Sequence, residues 1–130
     1  MRKLPDYRQK QKILYSDHHD PETFKDYGDL FFAEGNFSDA LDFYAKANFP
    51  EGLQKIKNTA VEKGDVMLFG LAAKALNMEL KTADWENIGR IAMDLKKYIF
   101  ARHALEKANN AEMLSSLAKK MEAEEHEKIS

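Results

Sequence analysis

Apolar residues recur along this chain at three- and four-residue steps, and no stretch alternates apolar with polar as a half-buried strand would. Phe24, Tyr27, Gly28 and Phe31 share one helical face; Asp20 can cap that helix, Pro21 suits its first position and Gly35 its exit. A second helix follows with Ala40, Leu41, Tyr44 and Ala47 inward, Asn36 as its cap and Asp39 in its first turn. Leu53, Ile56 and Ala60 define a third, after Pro50 and before Gly64. The fourth, from about Val66 to Met78, is apolar on nearly all sides and is expected to be the most buried. Thr82 as cap, with Asp84 and Glu86 as first-turn acids, opens a fifth with Trp85, Ile88, Gly89 and Ala92 inward. The sixth presents Tyr98, Ala101, Leu105 and Ala108, and the seventh Leu114, Leu117, Ala118 and Met121. Short connections make successive helices antiparallel neighbours, so the pattern predicts an all-α string of helical hairpins.

An offset of 61 residues superimposes two stretches of this pattern. Phe24 meets Trp85, Tyr27 meets Ile88, Gly28 meets Gly89, Phe37 meets Tyr98 and Ala40 meets Ala101. Lys46-Ala47-Asn48 meets Lys107-Ala108-Asn109, and Leu53 and Ile56 meet Leu114 and Leu117. A fixed self-offset is the mark of stacked units that bury their apolar sides against each other. A glycine inside a helix costs roughly 1 kcal/mol against alanine. Its presence at both 28 and 89 therefore points to a close approach of backbones, which we expect to involve Gly28 with Ala40 and Gly89 with Ala101.

Residues 21–54 resemble a tetratricopeptide repeat, through Phe24, Tyr27-Gly28, Phe31, Gly35, Phe37, Ala40, Tyr44 and Ala47. Residues 82–115 are similar, through Trp85, Ile88-Gly89, Ala92, Tyr98, Ala101, Leu105 and Ala108. The middle stretch is degenerate: it keeps Leu53, Ile56, Ala60 and Gly64, but Lys57 stands in place of the helix glycine and Phe69 in place of the small alanine. The proline that ends such repeats is replaced by Gly52 and Met113. The resemblance implies a right-handed stack of antiparallel helical hairpins, an α-solenoid. Its repeats would be about 21–49, 50–81 and 82–110, followed by a capping helix over 111–125. Residues 1–20 would form a basic extension or an extra helix.

The remaining features narrow the chemistry. The 130 residues are 44% hydrophobic and 32% charged, with a net charge of −2 that favours no polyanionic partner, so no nucleic acid is expected. Zero cysteines excludes disulfides, thiolate metal sites and a cysteine nucleophile. No apolar run reaches a bilayer-spanning length, and Met1 to Asp6 lacks a secretory apolar core, which leaves a cytoplasmic location as the expectation. His18-His19-Asp20 is the single cluster of metal-ligand types, and it reads as a loop whose aspartate caps a helix, so no metal or cofactor is expected. No serine stands in a glycine-flanked elbow, and no glycine-rich phosphate loop occurs; an enzyme is not expected. The basic arm (Arg2, Lys3, Arg8, Lys10, Lys12) reads as a solvated helix or terminus tethered by Ile13, Leu14 and Tyr15.

A curved stack of this kind binds along the concave face lined by its first helices. By helical phase Lys25, Asp29 and Phe32, then Asn58 and Val61, then Glu86, Arg90 and Met93 point into that groove, with Phe32 and Met93 as exposed apolar anchors. Family members that clamp a C-terminal carboxylate use lysine, arginine and asparagine. Here Lys25 matches, but Asp29 would repel the carboxylate, so that clamp is not expected. The sequence thus leads to a module that binds a peptide or helix of another protein. A chaperone-like assembly or secretion subunit is the next reading, and a self-associating structural module the third.

Overall fold

Short polar residues start several of these helices, and a left-handed residue stops nearly every one. The computed structural model describes residues 3–16 and 20–129, the backbone alone at 129. Among them are eight helices and no strand: α1 (Tyr7–Leu14), α2 (Pro21–Ala33), α3 (Phe37–Lys46), α4 (Pro50–Lys63), α5 (Val66–Ala75), α6 (Thr82–Asp94), α7 (Tyr98–Lys107) and α8 (Ala111–Ile129). Asp20 accepts the Thr23 N–H at 2.9 Å, Asp65 that of Leu68 at 3.1 Å and Asn110 that of Met113 at 3.0 Å. Asn36 occupies the expected cap position of α3 but makes no side-chain cap bond. Thr82 is the first helical residue of α6 rather than its cap, and Asp84 reaches back to the Lys81 N–H at 2.9 Å.

Six turns join α2 through α8, and each contains one residue with positive φ: Gly35, Asn48, Gly64, Asn77, Lys96 and Asn109. Each turn makes the same pair of bonds, as when Asn36 donates to the Phe31 carbonyl and Gly35 to that of Phe32. This is the Schellman termination, which satisfies carbonyls the helix leaves over. The left-handed residues stand at 35, 64 and 96 and at 48, 77 and 109, so both series advance by 29 and then by 32. The 61-residue offset is therefore two unequal repeats, and the extra length falls in the connection between α5 and α6.

Helices adjacent in sequence pack together, most extensively α2 with α3, α4 with α5 and α6 with α7. Several alternate helices also meet: α1 touches α3, α3 touches α5, α5 touches α7 and α4 touches α6. The shared core includes Phe24, Phe31, Phe43, Tyr44, Ile56, Phe69, Ile88, Leu105 and Leu117. Ala40, Ala47, Ala101 and Ala108 are all buried.

Four expectations change. α5 ends at Ala75, short of Met78; with Val66, Leu68, Phe69, Ala72 and Ala73 buried it is the most buried helix, as expected, yet Met67 and Leu71 are exposed. Ala118 faces solvent, one position past the buried Leu117. The last helix runs on past 125 to Ile129. In the N-terminal arm, Lys10 is buried while Tyr15 is 78% exposed, so the tether is Ile13, Leu14 and a lysine, without Tyr15.

The glycines show what the repeat serves. A Cβ on Gly28 would lie 2.6 Å from the Tyr44 ring, and one on Gly52 would lie 2.7 Å from the same ring and from that of Phe49. Tyr44 is thus slotted between glycines of α2 and α4. A Cβ on Gly89 would meet Leu105 at 2.8 Å and Ala104 at 3.4 Å. The nearest neighbours of both helix glycines are therefore residues 44 and 105, one turn beyond Ala40 and Ala101 and again 61 apart. In the middle pair the corresponding positions hold Lys57 and Ala73, and the Lys57 ammonium lies 5.8 Å from the Phe69 ring centre.

Candidate functional site

Residues with outward-pointing bonds on α2, α4 and α6 fall into columns once the 29- and 32-residue steps are applied. Asp29, Asn58 and Arg90 share one register and all three are exposed. Lys25 and Glu86 share a second, with Gln54 between them, and all three are half-buried. Phe32, Val61 and Met93 form the third. Phe32 and Val61 are half-buried, whereas Met93 is only 7% exposed and belongs to the core. Met93 follows Gly89 by four residues and continues that buried stripe, so it is no surface anchor. Phe32 is partly covered as well: Phe37 packs edge-on at 5.2 Å, and the Lys55 ammonium sits 4.2 Å from its ring centre.

The polar columns are held by neighbours. The Tyr44 hydroxyl donates to the Asp29 carboxylate at 2.6 Å, which fixes Asp29 on the face of α2. Burial and then this bond push the Tyr44 hydroxyl well above its ordinary pKa, so it remains a donor. The Lys25 ammonium lies 5.2 Å from the Phe49 ring centre and 4.0 Å from Glu22. Gln54 donates to Asn58 at 3.0 Å along α4. The result is a mixed face with anion, amide and cation in succession at 29, 58 and 90. Among the described residues no three or more His, Asp or Glu side chains converge as a metal site. His18 and His19 lie outside the described residues; Asp20 caps α2.

Among the described residues, three open clefts lie off these columns. The largest, of about 680 Å³, is lined by Lys3, Leu4, Pro5, Lys12, Ile13 and Tyr27 among others. A second, about 410 Å³, runs from the α2–α3 turn to Met67 and Leu71. A third, about 380 Å³, lies between α1 and α3.

Sequence reasoning missed two polar joints. Lys10 of α1 contacts Asp39 at 2.6 Å and Asp42 at 2.8 Å on α3. The clue was the Asp39–Asp42 pair three residues apart, which places both acids on one helical face. Tyr98 donates to Glu124 at 2.7 Å, and at the positions 61 residues earlier Lys63 of α4 lies 5.8 Å from the ring centre of Phe37 on α3. Residues 37 and 98, and 63 and 124, are each 61 apart, so the offset also governs how α8 meets α7.

The Tyr98–Glu124 bond predicts a pH response. It holds the Glu124 carboxyl below its ordinary value of 4.5 and pushes Tyr98 up to about 12. A depressed carboxyl stabilises the fold above its unfolded value and loses that contribution as pH falls through the folded one. A raised tyrosine contributes below 10 and loses it as pH climbs toward 12. Tyr98→Phe is therefore expected to move the Glu124 pKa upward in a carboxyl-detected NMR titration; an unmoved midpoint would mean that the bond is not formed.

No helix among the described residues is long and apolar enough to cross a membrane. No protein-family model matches the chain, and neither a curated protein nor a solved structure is significantly similar to it.

Proposed function

We propose that α2 through α8 form a right-handed, tetratricopeptide-like stack of hairpins, and that its concave face binds a peptide or helix of a partner protein. The observation that carries this reading is the column Asp29, Asn58 and Arg90: three exposed polar residues at one register on alternate helices. Contacts between alternate helices and the recurring left-handed residue at each turn support the stack. Phe32 and Val61, half-buried beside that column, supply apolar contact at its edge. Lys25 and Glu86, with opposite charges at its two ends, set the direction in which a charged peptide lies. The role is one of binding rather than catalysis, and Met93 takes no direct part in it.

Peptides selected from a random displayed library on the full-length chain test this reading. They should perturb the backbone resonances of Asp29, Asn58 and Arg90, and Arg90→Glu combined with Asn58→Ala should weaken them about tenfold or more. Selected peptides that bind the double variant undiminished would place the working surface elsewhere.

A further inference from the structure

Helix α1 has eight residues, below the length at which a helix persists alone in water. Among the described residues its contact with α3 is slight, and Lys12 and Ile13 border a cleft shared with Tyr27 of α2. At its seat on α3, Lys10 is 7% exposed, bridging Asp39 and Asp42, and Leu14 is buried one turn further on. The next helices in the row supply more of the core: α3 carries Ala40, Leu41, Phe43 and Tyr44, α5 carries Val66, Leu68, Phe69 and Ala72, and α7 carries Ala101, Ala104 and Leu105. Helix α1 adds only Leu14 to that core, with Ile13 partly buried against it. Its seam is also open, since the cleft of about 380 Å³ lined by Gln11, Leu14, Tyr15, Asp42, Ala45 and Lys46 runs beside the ion pairs.

We propose that the α3 seat is an exchangeable helix-docking site, filled in cis by α1 and open in trans to a partner helix that presents a lysine and, four residues later, a leucine. The occupant's chemistry follows from what an empty seat would hold. Asp39 and Asp42 would then face each other three residues apart with no cation between them, an unfavourable arrangement that a lysine relieves. The slot vacated by Leu14 would expose apolar surface next to them. Ion pairs at a partly solvated edge weaken with salt, so the seat is the seam of the row most responsive to ionic strength. This site is separate from the Asp29–Asn58–Arg90 column and does not depend on it.

The test uses the full-length chain and a fluorescent synthetic peptide of residues 3–16. Lys10→Glu should repel α1 from the two aspartates, and the peptide should bind this variant about tenfold or more tightly than the unaltered chain. Adding Asp39→Asn and Asp42→Asn should abolish that binding, as should methionine for lysine in the peptide, and salt should weaken it. Failure of the peptide to bind a folded Lys10→Glu chain, or equal binding to the triple variant, would overturn the proposal. Should Lys10→Glu not fold, hydrogen exchange on the unaltered chain decides. Amides of α1 should exchange about a hundredfold faster than those of α3, and faster still in salt; equal protection of α1 and α3 would overturn it.

Discussion

Gly52→Ala is expected to lower stability by about 2 kcal/mol, although alanine is the better helix former. The new methyl would lie 2.7 Å from Cγ of Tyr44 and from Cδ2 of Phe49. Tyr44 cannot retreat toward α2, because the site of a Cβ on Gly28 is already 2.6 Å from the other side of its ring. Nor can it swing out, since its hydroxyl is tied to Asp29 and the side chain is fully buried. Overpacking of a fixed ring costs about 1–3 kcal/mol, and the gain in helix propensity of up to about 1 kcal/mol offsets only part of it. Thermal unfolding should show a drop of about 6 °C. Combining Gly52→Ala with Tyr44→Leu, the residue type found at the equivalent position 105, should cost less than the two changes summed. Strict additivity in that cycle would mean that the ring does not fill the space between the two glycines.

Gly64→Ala should be worse, at about 3 kcal/mol, and the comparison with Gly35→Ala isolates the cause. Both glycines end a helix with positive φ, +63° and +78°. A side chain in that conformation costs about 1 kcal/mol at either site. At Gly35 nothing lies within 4 Å of the added Cβ, so the strain is the whole cost. At Gly64 the Cβ would stand 2.9 Å from Cα of Ala92 and 3.2 Å from its nitrogen. Those are backbone atoms of α6 and cannot rotate away, so α4 and α6 must move apart. Urea denaturation should therefore find the Gly64→Ala loss at least twice that of Gly35→Ala. Similar losses at the two sites would show that α4 and α6 do not approach closely at this turn.

Much of this architecture could be read in advance. Pro21, Gly35, Pro50 and Gly64 mark helix ends through backbone rules that act locally, and the ends fell where they pointed. The 61-residue offset was visible because a helix glycine is costly and stood at both 28 and 89. Which large residue answers each glycine was not legible. That depends on how far one helix is displaced along the next, and the answer, Tyr44 and Leu105, lies a turn beyond the small residues that looked complementary.

The surface was harder. Asp29, Asn58 and Arg90 follow helical phase and are exposed, but Met93 is covered because it extends the stripe begun by Gly89. Lys10 looked solvated because a lysine's pattern says nothing of carboxylates 29 and 32 residues away. Tyr15, the end of the same stretch, lies outside, because the packed face of α1 stops at Leu14.

The slotting of Tyr44 between two helix glycines, and the contact of Leu105 with Gly89 at the positions 61 residues later, are open to direct observation without any substitution. A NOESY spectrum of the unaltered chain should show the Hα protons of Gly28 and Gly52 both in contact with the Tyr44 ring and shifted upfield by it. The Hα protons of Gly89 should meet the methyls of Leu105. Cross-peaks from Gly28 and Gly89 to other residues, with none to positions 44 and 105, would contradict the account.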